Sequence, residues 1–150
     1  MSAIDELYQE MIIEHNRNPR NFRTIDDATH TAEGFNPICG DHFHVYLTVD
    51  AEGRIEDIAF EGKGCAISKA SASMMTQILK GKTETEAREL FDQFHKLATG
   101  ELDPDQQGKD LGKLAVFSGV SKFPARVKCA VLSWHTMSSA LDHVKVISTE

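Results

Sequence analysis

Apolar residues recur along this chain with two different periods. Near the start, Ile4, Leu7, Tyr8, Met11 and Ile12 fall on one face of a helix. The stretch Asn16 to Pro19 should end it, because the residue before a proline avoids the helical region. Between His42 and Val49 the period drops to two. Phe43, Val45, Leu47 and Val49 alternate with His42, His44, Tyr46 and Thr48, the mark of a strand with one buried face. Asp50 to Gly53 then makes a turn, Arg54 to Glu61 returns with Ile58 and Phe60 on one side, and Thr29 to Asn36 supplies a further strand. These three segments predict an antiparallel meander.

After Gly62 and Gly64 the period lengthens again. Ile67, Ala70, Met74 and Ile78 form one helical face that Gly81 closes, which places Cys65 at a helix N-terminus. Thr83 and Glu86 have the spacing of a capping box for the next helix, whose apolar face is Ala87, Leu90, Phe91, Phe94 and Leu97. Thr99 to Gly112, with Pro104, is the most polar stretch, and a short helix is expected near Leu111 to Phe117. The last helix starts at Pro124, a residue suited to the first helical position, and turns Val127, Val131, Trp134, Ser138 and Leu141 to the core. Strands first and helices after predict an α+β fold: an antiparallel three-stranded sheet covered on one face by helices.

The 150 residues and 41% hydrophobic content suit one domain spanning 1–150. A net charge of -7 gives no overall positive field for a phosphate backbone, so nucleic acid is not an expected partner. No segment approaches the roughly 18 apolar residues of a membrane span, and a soluble, cytoplasmic protein is expected. Three cysteines, widely spaced, do not make a disulfide framework.

Those cysteines are the chain's candidate chemistry. Cys39 lies on a Pro37-Ile38-Cys39-Gly40 turn followed by Asp41, Cys65 stands at a helix start, and Cys129 lies within the first two turns of the last helix. Buried cysteines are commonly small hydrophobes. Three thiols and one carboxylate can also complete a tetrahedral metal site, with soft thiolates favouring Zn²⁺ or iron–sulfur chemistry over Mg²⁺ or Ca²⁺. Helix N-termini would lower the thiol pKa of Cys65 and Cys129. Deprotonated ligands around Zn²⁺ leave a formal charge of about -2, which Arg126, three residues before Cys129 on the same helical face, could offset as a supporting cation. Lys128 points about 100° away. His15, His95 and His143 are expected to be solvated helix positions, and His42 and His44 to lie on the polar side of their strand.

Three ordered blocks carry a resemblance: Asn36-Pro37-x-Cys39-Gly40-Asp41, Phe60-Glu61-Gly62-x-Gly64-Cys65-Ala66-Ile67-Ser68, and Phe123-Pro124-Ala125-Arg126-Val127-Lys128-Cys129-Ala130. Together they resemble the SufU branch of the IscU-like (NifU N-terminal) iron–sulfur cluster assembly proteins. The likeness extends to His15-Asn16-x-x-Pro19-Arg20-Asn21 and Ala70-Ser71-Ala72-Ser73-Met74-Met75. It implies a SufE/NifU-like fold and a zinc ion ligated by Cys39, Asp41, Cys65 and Cys129. It further implies a sulfurtransferase whose partner is a SufS-type cysteine desulfurase, with other cluster assembly proteins as further partners. The pyridoxal phosphate would belong to the desulfurase. Cys39, on its glycine-flanked turn, is the expected sulfur acceptor. Scaffold members of the wider family carry His immediately before the third cysteine; here Lys128 stands there, and the segment between the second and third cysteines is longer, as in the SufU branch. The alternative implied by the same ligand set is a scaffold that assembles a [2Fe-2S] cluster and passes it on.

Overall fold

The structure is a computed structural model that describes residues 3–37, 40–102, 111–144 and 146–148. Among the described residues, four helices, α1 (Ala3–Arg17), α2 (Ala66–Leu79), α3 (Glu84–Thr99) and α4 (Pro124–Leu141), pack with four strands, β1 (His30–Asn36), β2 (Asp41–Val49), β3 (Ile55–Lys63) and β4 (Val146–Ser148). A 3₁₀ segment, Gly112–Val120, lies where the short helix near Leu111 to Phe117 is expected.

The meander forms as its alternation predicts. In β2, Phe43, Val45 and Leu47 are fully buried while His42, His44 and Tyr46 are partly exposed on the other face. The Asp50 carboxylate closes the β2–β3 turn by accepting from the backbone N–H groups of Glu52 and Arg54, each at 2.9 Å. The sheet differs from the expectation in one respect: it has four strands and is mixed, in the order β3-β2-β1-β4. β4 runs parallel to β1, pairing at Glu33, Gly34 and Phe35. Three residues are too few to show a period, so β4 exists only because α4 carries the chain back to the open edge of β1.

The helices lie on the face that Phe43, Val45 and Leu47 line. α4 crosses β1 and β2, and α2 is held between α1, α4 and β3. This central position buries more of α2 than one stripe. Ser71, Ala72, Met75 and Leu79 are all buried, whereas the expected face residues Ile67 and Ile78 are only partly covered. The small residues of Ala70-Ser71-Ala72-Ser73 allow the close approach on several sides. Ser71 Oγ donates to Ala130 O at 2.5 Å and accepts from Trp134 Nε1 at 3.2 Å, tying α2 to α4. Trp134 is itself stacked on Phe94, with ring centroids 4.7 Å apart, which locks α3 onto the same core.

His15 corrects its expectation as a solvated position. It is 4% exposed, and its Nδ1 lies 2.7 Å from Ser73 Oγ, which also accepts from the Arg20 backbone N–H. The capping box of α3 is present as read, with Thr83 Oγ1 and Glu86 reciprocally bonded.

Candidate metal and thiol site

Asp41, Cys65 and Cys129 come from three segments and meet at one end of the sheet. Asp41 opens β2 directly opposite Asn36, the last residue of β1. Cys65 is the N-cap of α2, reached where β3 runs out through Gly64, and Cys129 projects from the second turn of α4. One ligand atom from each of the three lies within 4.8 Å of the others. Cys39 falls outside the described residues, as do residues 103–110 of the polar stretch. The adjoining Gly40 is described and has φ +72, a backbone state that favours glycine, as the turn reading requires.

The bonds around Cys65 set its chemistry. Its backbone N–H donates to Asp41 Oδ1 at 2.9 Å, and its Sγ accepts from the Ser68 N–H at 3.4 Å while lying 3.4 Å from Ser68 Oγ. Its thiol pKa is held down to about 6, chiefly by the hydrogen bond from the Cys129 thiol and then by Ser68, against burial and the Asp41 charge, which push it up. Of these causes only the Ser68 N–H belongs to the start of α2, so the helix terminus contributes to the lowering at Cys65 but is not its main source. Cys129, five residues inside α4 and 4% exposed, lies beyond the first turn, where the helix field has faded. Its sulfur accepts from Asn36 Nδ2 at 3.8 Å.

Gly64 makes this junction possible. A Cβ there would lie 2.6 Å from both the Phe43 ring and Ser68 Oγ, so any side chain would push the Cys65 turn off the sheet.

Arg126 is exposed near the start of α4, with its guanidinium over the Phe123 ring, 4.4 Å from the centroid. It stands close enough to the site to bear on Tyr8, whose hydroxyl pKa is pushed up by burial and by the two thiols and pulled down by Arg126.

Three residues of this neighbourhood went unassigned in the sequence: Asn36, Ser68 and Tyr8. Asn36 and Ser68 stand within the motif blocks, and Ser68 has N-cap-plus-three spacing from Cys65, so a capping signal was present. Tyr8 carried only the signal of an apolar helix face, and its closeness to the thiols comes from the docking of α1. A second group also converges, on the opposite face of the sheet: one ligand atom each from Glu33, His42 and His44 lies within 4.8 Å of the others. In the sequence the two histidines mark only the polar side of their strand.

Comparison with known proteins places this geometry among relatives. The pattern of the NifU-like N-terminal domain matches residues 7–130. The chain is 41% identical over 138 residues to a protein of Bacillus subtilis (strain 168) named zinc-dependent sulfurtransferase SufU, covering 92% of this chain and 91% of that one. It is 38% identical over 141 residues to the iron–sulfur cluster assembly scaffold protein IscU of Streptococcus pyogenes serotype M1, covering 94% and 86%. A solved structure of a candidate cluster assembly scaffold for the SUF system of Fervidobacterium islandicum AW-1 superposes with a TM-score of 0.82 at 36% identity, over 91% of this chain and 97% of that one. The N-terminal part of a NifU-like protein from Brucella abortus shares the fold, with a TM-score of 0.81 over 95% and 97% of the two chains at 23% identity.

Proposed function

This chain belongs to the NifU-like N-terminal domain family, and from that membership we propose that it is a zinc-dependent sulfur acceptor in iron–sulfur cluster assembly, working with a cysteine desulfurase. The observation that carries this reading is the convergence of Asp41, Cys65 and Cys129 with a thiol already inclined to ionise.

The donor set fits zinc. Tetrahedral Zn²⁺ takes sulfur at about 2.3 Å and carboxylate oxygen at about 2.0–2.2 Å, which sets donor atoms roughly 3.5–3.8 Å apart. Three donors within 4.8 Å need to close by only about 1 Å to reach that spacing. Bound zinc would hold the thiols as thiolates and offset their charge. Cys65 and Cys129 are anchored on helices, and the Asp41 carboxylate is committed to the Cys65 N–H, so these three would form the rigid part of the site. Cys39, beside Gly40, supplies the fourth ligand and the sulfur acceptor. Its thiolate attacks the outer sulfur of the desulfurase persulfide. A sulfur–sulfur bond forms on Cys39 as the bond to the desulfurase cysteine breaks, and that cysteine leaves as a thiolate with no net change in oxidation state. Arg126, exposed near the start of α4, is the supporting cation that would offset the negative charge of the deprotonated ligands.

The names of the IscU relatives favour a second reading, in which the same donors hold a [2Fe-2S] cluster as cargo. Metal and sulfide content after anaerobic purification, read beside the stimulation of a cysteine desulfurase, decides between the two. About one zinc per chain, no sulfide, and persulfide that disappears in Cys39→Ser support the acceptor. Iron with matching sulfide and no stimulation overturns it in favour of the scaffold.

A further inference from the structure

The solvent-facing side of the sheet holds a donor set unrelated to the thiols. His42 and His44 are two apart on β2 and so point to the same face, opposite to that of Asp41. Glu33 sits across from His44 in the β1–β2 register. Both imidazoles turn toward its carboxylate. His44 Nε2 lies 2.7 Å from Glu33 Oε1, and His42 Nε2 lies 3.5 Å from Glu33 Oε2. His42 Nε2 is shielded from water and has no hydrogen-bond partner, an orphaned donor atom aimed at a carboxylate.

From this convergence we propose that Glu33, His42 and His44 form a second site, one that takes a divalent transition-metal ion and is separate from the thiol site.

Two imidazoles and one carboxylate are the ligands that zinc and its neighbours take in open sites, and nitrogen donors select them over Mg²⁺ and Ca²⁺. The ligand atoms already lie within 4.8 Å of one another, about 1 Å beyond the donor spacing of a tetrahedral site. The scaffold beneath is stiff, because β2 is paired on both edges. The rings are braced by aromatic neighbours. Phe35 stacks on His42 at 4.2 Å between centroids, and Tyr46 lies alongside His44 while its hydroxyl donates to Glu61. The side chains of Glu33, His42 and His44 are 37%, 44% and 33% exposed, so the cluster lies at the solvent-facing surface of the sheet although His42 Nε2 itself is covered.

The test is a Zn²⁺ titration of the purified chain by equilibrium dialysis, with the imidazole signals of His42 and His44 followed by NMR. The chain should bind one Zn²⁺ more than its His44→Ala variant, with both signals moving together. Glu33→Gln, which keeps the shape of the side chain, should weaken that extra binding by about tenfold or more. An equal zinc count in the chain and both variants overturns the proposal. So does an extra ion that leaves these signals in place and shifts those of the surface pairs His30–His143 or His95–His135 instead.

Discussion

Asp41 and Cys65 are joined by a 2.9 Å hydrogen bond from the Cys65 N–H to Asp41 Oδ1, so the candidate ligand that opens β2 also caps the entry to α2. One carboxylate thus serves the fold and the chemistry, and substitutions can separate the two. Asp41→Asn keeps an acceptor for the N–H and removes the charge. It should unfold within about 1 kcal/mol of wild type yet lose zinc to a chelator about tenfold more readily. Asp41→Ala leaves that N–H without its partner and should be less stable by about 1–3 kcal/mol as well. Denaturant midpoints and chelator competition on both variants check this, and equal zinc retention in all three proteins would remove Asp41 from the ligand set.

Gly64→Ala should destabilise the chain by about 1–3 kcal/mol, because its new methyl group meets the Phe43 ring and Ser68 Oγ at 2.6 Å. The loss should come with weaker zinc binding, since the same clash displaces Cys65. Stability and metal content measured together test the linkage.

In metal-free protein, Cys65 should ionise near pH 6. Its alkylation rate, followed by mass spectrometry of the Cys65 peptide, should rise through that pH and level off above it. Ser68→Ala removes one of the two Ser68 contacts to the sulfur, so the midpoint should move upward. An unmoved midpoint would show that the hydroxyl does not act on the thiolate.

His15 gives a pH dependence to the fold. Burial, then Arg20, pulls its pKa below the ordinary 6.5, so the folded chain holds it neutral while the unfolded chain protonates it. The unfolded state therefore binds more protons as the pH falls through 6.5, and stability drops on acidification and is regained above 6.5. His30 and His135, also lowered, act in the same direction. His15→Asn should flatten the fall in urea midpoint between pH 7 and 5, and an unchanged slope would exclude His15 as a contributor.

Thr83→Ala removes the capping box of α3, far from the thiols in sequence, and should cost about 1 kcal/mol of stability while leaving zinc binding unchanged. It is the control that separates loss of fold from loss of site.

Sequence by itself determined what short-range physics controls. The alternation of β2, the Thr83–Glu86 box, Pro124 at the start of α4 and the positive φ of Gly40 each depend on a few neighbouring residues, and the structure shows each of them. Cys65 could be placed at a helix start for the same reason. Tertiary structure alone decided what depends on packing. β4 has too few residues for a period and forms only because α4 returns the chain to the free edge of β1. His15 lies on a helix like any polar residue until Ser73, 58 positions away, meets it in the interior. Glu33 and His44 are eleven residues apart and become neighbours only through strand register. Local sequence specifies which backbone bonds a segment can make; which side chains share a site depends on contacts between segments that no local pattern encodes.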